Sequence, residues 1–148
     1  MNDSIFVDTN ILIYARDAGQ TAKQPVAQSW LRTLWRLRRG RLSFQVLQEY
    51  YANVTTKLKP GLPPAQARQD VRNLALWNPI NIDADLLETA WGLADRFGFS
   101  WWDAQIAAAA RRVNCAVLLS EDMHHGLDMD GTLIINPFAA DAPPPPMD

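Results

Sequence analysis

Short apolar runs with no polar alternation, set between segments of helical periodicity, constrain this chain more than any other feature. Ile5, Phe6 and Val7 form one such run, AVLLS at residues 116–120 a second and TLIIN at 132–136 a third. A strand written this way is covered on both faces, which points to a parallel sheet layered with helices. Between the runs, Val26, Trp30, Leu31, Leu34 and Leu37 recur at helical spacing after Pro25, which suits a first helical turn. The segment QVLQEYYANVTTKL at residues 45–58 reads as a helix, as do 65–77, the stretch from Asp83 to Phe97, and SWWDAQIAAAARRVN at 100–114. RLSF at 41–44 and NPINI at 78–82 read as further short strands, and EDMHHGLDMDG at 121–131 as turns. The alternation predicts one α/β domain, with a central, mainly parallel sheet between helical layers.

At 148 residues the chain has the length of one domain and can bury a real core. We expect a domain over residues 1–138, followed at 139–148 by a disordered tail with four consecutive prolines. No apolar run approaches the roughly 20 residues of a membrane span, and the N-terminus lacks the basic-then-apolar pattern of an export signal. The expected location is therefore cytoplasmic. The single cysteine, Cys115, excludes an internal disulfide and a multi-cysteine zinc site.

Net charge is −2, and the tail residues Asp141 and Asp148 account for it, leaving 14 acids against 14 bases elsewhere. Arginine is clustered, with Arg32, Arg36, Arg38, Arg39 and Arg41 inside RTLWRLRRGR. Such a cluster suits either the solvated C-terminus of a helix or a patch that contacts phosphate.

Four acids stand out by position. Asp8 ends the first strand, and Asp122 follows AVLLS by two residues. Glu49 borders the apolar arc of its helix, and Asp103 lies in the first turn of the SWWD helix. Each has a local explanation: Asp8 can cap the next helix, Ser100 and Asp103 match a capping box, Glu49 can be solvated, and Asp122 can serve a turn. Those explanations leave unaddressed why the acids recur where a parallel sheet would gather them at one edge, the usual ligand crevice of such sheets. Carboxylates that share a cleft need raised pKa values or a cation. Lys23, Lys57 and Lys59, the three lysines, lie in polar surroundings. An all-oxygen donor set suits Mg²⁺ or Mn²⁺, one ion or two about 4 Å apart, and such a site activates water against a phosphodiester. The adjacent His124 and His125 are poorly spaced as a ligand pair and read as a surface turn.

The blocks FVDTNILIYA, QEYY, SWWDAQIAAAA and LLSEDMHHG, in this order and spacing, resemble PIN-domain nucleases, in particular VapC-type toxins of bacterial toxin–antitoxin pairs. The resemblance covers about residues 3 to 138. It implies a three-layer α/β/α fold and Mg²⁺-dependent endonucleolytic cleavage of RNA, often tRNA or rRNA, with Mn²⁺ as a substitute. It implies metal-binding, catalytic roles for Asp8, Glu49, Asp103 and Asp122, with Asp8 and Asp103 central. Asn10 and Ser120 match positions that support the carboxylates or the substrate by hydrogen bonding. Thr9 belongs to the motif without an assigned chemistry, and Glu121 adjoins Asp122, so either acid is able to face the site. A small antitoxin protein and a homodimer are the implied partners. Trp30, Leu31 and Trp35 give their helix a broad apolar arc that suits a partner surface as well as a core.

Rival chemistries fit less well. A phosphoacceptor or aspartyl phosphatase needs a second acid close to the first and a late lysine, and no lysine follows Lys59. No glycine-rich run ends in Gly-Lys, which excludes a P-loop. The remaining alternative is a catalytically weak domain of the same fold that binds RNA or a protein.

Overall fold

The computed structural model describes residues 2–147. Its sheet begins with β1 (Ile5–Val7), every residue of which is buried. Chain order continues through α1 (Thr9–Arg16), α2 (Lys23–Leu37), β2 (Gly40–Arg41), α3 (Phe44–Thr56) and α4 (Pro64–Leu74). After a 3₁₀ turn at Ala75–Trp77 come α5 (Ala84–Phe97), α6 (Trp101–Arg112), β3 (Val117–Leu119), β4 (Asp128–Met129) and β5 (Thr132–Ile135). The strands lie in the order β2-β1-β3-β5-β4, parallel except for β4, which pairs antiparallel with β5. The result is the three-layer α/β/α arrangement with a mainly parallel sheet that the apolar runs predict.

The central position of β1 and β3 follows from their sequences. Ile5 pairs with Val117 and Val7 with Leu119, and none of these residues offers a polar face to water. Helix α6 is buried from Ala104 to Ala110 without interruption. A helix apolar on all sides belongs inside, and its alanines let neighbouring backbones approach closely. Helix ends are written locally: Asp83 accepts from the Leu86 N–H, Ser43 from the Val46 N–H and Ser100 from the Asp103 N–H. Gly98, at φ 74°, closes α5 in the left-handed conformation that glycine adopts without penalty.

Three sequence expectations are corrected here. RLSF gives only Arg41 to a strand, because Ser43 caps α3 and Phe44 opens it. NPINI forms no strand but a single parallel bridge, Ile80 to Ser43, with the Ile80 N–H on the Leu42 carbonyl and the Phe44 N–H on the Ile80 carbonyl. Asn78 at φ 56° and the missing N–H of Pro79 stop a ladder from starting, and Asp83 opens α5 directly after it. Conversely, the stretch read wholly as turns contains β4. Asp130 at φ 55° and Gly131 at φ 111° make the two-residue turn between β4 and β5, the Asp-Gly signal of a tight hairpin.

The tail carries no helix or strand. Ala142 to Pro145 lie beside Pro25, Val26, Ser29 and Trp30 of α2, and Asp141 Oδ1 is 3.0 Å from His125 Nε2. Trp30 is core at 3% exposure, whereas Trp35 is 40% exposed and tilts against the Trp77 ring. No described helix is long and apolar enough to cross a membrane.

Candidate active site

Because β1 and β3 are parallel neighbours, their carboxyl ends open on the same edge of the sheet. Asp8 leaves β1 there, its N–H bonded to the Leu119 carbonyl at 3.0 Å. It is the N-cap of α1, and its Oδ1 accepts the Thr9 N–H at 2.7 Å. Its Oδ2 accepts the Ser120 hydroxyl at 2.7 Å and the Asn10 amide at 3.4 Å. The capping and site readings of Asp8 are thus compatible, since one carboxylate serves both geometries.

Asn10 links the two strand ends. Its amide donates to Asp122 Oδ2 at 3.0 Å, and its Oδ1 accepts the Glu121 N–H at 3.3 Å. Ser120 Oγ also receives the Asp122 N–H at 3.3 Å. From α3, Glu49 Oε1 accepts the Thr9 hydroxyl at 2.8 Å. From α6, Asp103 sits one turn inside the helix, with its N–H on Ser100 Oγ at 3.2 Å.

Asp8, Glu49, Asp103 and Asp122 line one cavity of about 220 Å³, together with Thr9, Asn10, Gln45, Asn53 and Trp102. Ser120 is fully buried beneath it, behind Asp8. Among the described residues none of the four acids has a basic partner within ion-pair distance. The electrostatic consequence is visible in two of them. Burial pushes the Asp8 carboxyl up from 3.8 to about 7; the Ser120 and Thr9 hydrogen bonds oppose the rise, and the charges of Asp103 and Glu49 add to it. Burial also raises Asp103, against the Ser100 hydrogen bond and with the charge of Asp122.

The question between Glu121 and Asp122 has a geometric answer. Glu121 turns from the cavity, accepting the Tyr14 hydroxyl at 2.5 Å and the Lys23 ammonium, while Asp122 lines it. Lys23 in turn lies over the rings of Tyr14 and Phe138. Thr9, Gln45, Asn53 and Trp102 went unassigned in the sequence. Thr9 was within reach, because it sits in the motif itself. Gln45 and Asn53 lie one turn either side of Glu49, a relation that becomes meaningful once Glu49 is placed. Of the arginine cluster, Arg39 lies at the amino-terminal edge of the sheet, its carbonyl on the Ile5 N–H and its side chain on Asp3. Arg41 donates to the Asn78 carbonyl. Neither lines the acidic cavity.

The donor set fits a hard divalent cation in chemistry: every candidate ligand is a carboxylate oxygen, and neither histidine lines the cavity. Among the described residues no three acidic or histidine side chains stand close enough to hold an ion as a set. Mg²⁺ does not require such a set, since it usually keeps several waters and binds through one or two carboxylates. The cavity has room for an ion and several waters, each of which takes about 30 Å³.

Residues 5–125 match the family described as PIN domain. Among solved structures, a toxin–antitoxin complex from Klebsiella pneumoniae is similar with a TM-score of 0.64 at 20% identity, over 90% of this chain and 98% of that one. VapC20 of Mycobacterium tuberculosis, a sarcin-ricin loop cleaving toxin, is similar with a TM-score of 0.59 at 25% identity, over 80% of this chain and 92% of its own. No curated protein matches the sequence. A family match across most of the chain, on a sheet that gathers the motif's acids into one cavity, leads to one conclusion: this chain belongs to the PIN-domain family.

Proposed function

We propose that the chain is a metal-dependent endoribonuclease, the toxin of a toxin–antitoxin pair, acting in the cytoplasm. The observation that carries this reading is the convergence of Asp8, Glu49, Asp103 and Asp122 from four separate elements on one cavity. Asp8 and Asp103 would hold Mg²⁺, or Mn²⁺ in its place, with Glu49 and Asp122 completing the shell directly or through water. When bound, the ion would neutralise charge on the phosphodiester and lower the pKa of a water. The chain's own residues prepare that chemistry. Ser120 and the Thr9 N–H fix both oxygens of Asp8, so the carboxylate enters the cavity in one orientation. Thr9 holds Glu49 toward Asp8, and Asn10 ties Asp122 to the same point. Oriented donors of this kind set the affinity and geometry of a metal centre.

The RNA substrate is transfer or ribosomal RNA, the latter in keeping with the similarity to VapC20. An antitoxin is the expected protein partner, and a homodimer the expected assembly. An apolar groove of about 630 Å³ between α3 and α4, lined by Phe44, Leu47, Tyr51 and Val71 with Arg68 and Arg72, supports a partner that brings apolar and acidic side chains. A second reading, a catalytically weak domain that binds RNA or protein, draws on the lack, among the described residues, of three acids or histidines grouped to hold an ion. Purified protein, freed of any partner, decides between them on total RNA with Mg²⁺, Mn²⁺ or EDTA. The nuclease reading expects metal-dependent cutting that Asp103→Asn abolishes. A folded protein inactive with both ions supports the second.

A further inference from the structure

Two adjacent tryptophans open α6, and they have opposite surroundings. Trp101 is half-buried and stacks on Trp91 of α5, with ring centroids 6.1 Å apart and planes 22° from parallel. Trp102 is 63% exposed and has no ring partner among the described residues. It nevertheless lines the acidic cavity, and its carbonyl is held by the buried Gln45 amide at 3.2 Å. A large indole left in water adds little to folding, and its position beside the carboxylates suggests another use.

Trp102 precedes Asp103 directly, with Cα atoms about 3.8 Å apart. A phosphodiester that reaches the carboxylates therefore brings a flanking base within reach of this ring. Single-stranded nucleic acid is commonly gripped by aromatic rings that accept any base by stacking. Ile13 and Ile106 are the cavity's other apolar residues, but both are aliphatic, so Trp102 supplies its one aromatic face. We propose that Trp102 is a stacking platform for the nucleobase beside the scissile phosphate. The proposal rests on the nuclease reading for its substrate class, but it is tested by binding.

The probe is a fluorescein-labelled ten-nucleotide single-stranded RNA, titrated in Ca²⁺ with full-length wild type, Trp102→Phe and Trp102→Ala. A matched oligonucleotide with abasic sites throughout is the control, and the oligomeric state of each protein is measured alongside. Trp102→Ala should bind the intact oligonucleotide about 5- to 150-fold more weakly, the effect of losing one base–aromatic stack. Trp102→Phe should recover most of that loss, and the abasic oligonucleotide should bind wild type and Trp102→Ala alike. Equal binding of the intact oligonucleotide by wild type and Trp102→Ala overturns the proposal. So does a loss that persists with the abasic control, or a variant that loses only self-association, which assigns the ring to contact between copies. Cleavage of total RNA is scored separately: Trp102-dependent binding without cutting sinks the nuclease reading and leaves the platform standing.

Discussion

Replacing Asp8 by asparagine should change the stability of the metal-free protein in a way that depends on pH, and the sign follows from the site. Asp8 is 5% exposed, and the charged groups that face it are Glu49 from α3, Asp103 from α6 and Asp122 after β3. Its folded carboxyl titrates near 7, against 3.8 for the ordinary group. Between those values the folded state holds a proton that the unfolded chain has released. The folded state then binds more protons, so stability falls as pH rises from about 4 to about 7. At about 1.4 kcal/mol per tenfold change, the fall from this one group is at most about 4 kcal/mol. Asparagine stays neutral and keeps an oxygen for the Thr9 N–H, so the Asp8→Asn protein should lack this slope and match or exceed wild type at pH 8. Urea unfolding in EDTA, followed by tryptophan fluorescence from pH 4.5 to 8.5, measures the difference directly. Added Mg²⁺ should restore wild type at pH 8 by mass action and leave the variant unmoved. Parallel pH profiles for the two proteins would refute the account of Asp8 as a carboxylate strained by burial.

Three further outcomes are expected. Thr9→Val removes the hydroxyl held 2.8 Å from Glu49 while keeping shape, and should lower metal-dependent cleavage about 10-fold or more with an unchanged melting temperature; full activity would detach Thr9 from the site. Glu121→Gln should leave cleavage near wild type and Asp122→Asn should not, because the Glu121 side chain engages Tyr14 and Lys23 outside the cavity; matched kinetic assays that reverse this order would exchange their roles. Gly40→Ala should destabilise the fold by about 1–3 kcal/mol in chemical denaturation, since an added Cβ would stand 2.6 Å from the Trp77 ring; wild-type stability would show that the ring moves aside freely.

What was legible in the sequence was what local pattern or residue chemistry dictates. Unalternating strands announced a parallel sheet, and the sheet alone implied that Asp8 and Asp122 would share an edge. Ile80 defeated the same logic, because a strand needs a partner ladder and the backbone at Asn78 and Pro79 permits only one bridge. The β4–β5 hairpin carried its signal in Asp130-Gly131, but the polar residues around it obscured two residues of strand. The partners of Thr9 and Gln45 were unreadable for a different reason: a hydrogen bond between α1 and α3, or α3 and α6, exists only after helices pack, and no spacing in one segment encodes it. The orientation of Glu121 likewise depends on Lys23, which is 98 residues away.

The strand order also sets when the cavity can exist. Asp8 is synthesised well before the hydroxyl that orients it, which belongs to Ser120, 112 positions later. Strand β1 sits between β2 and β3, so one side of it stays unpaired until Val117–Leu119 are available. At ribosomal rates of about 5–20 residues per second, β1 waits roughly 5 to 20 seconds for that partner. A nascent chain, or one ended before β3, therefore carries Asp8, Glu49 and Asp103 without the edge that assembles them. For a protein proposed to attack RNA, the late pairing of β1 with β3 keeps the weapon unassembled beside the ribosome until β3 has been made.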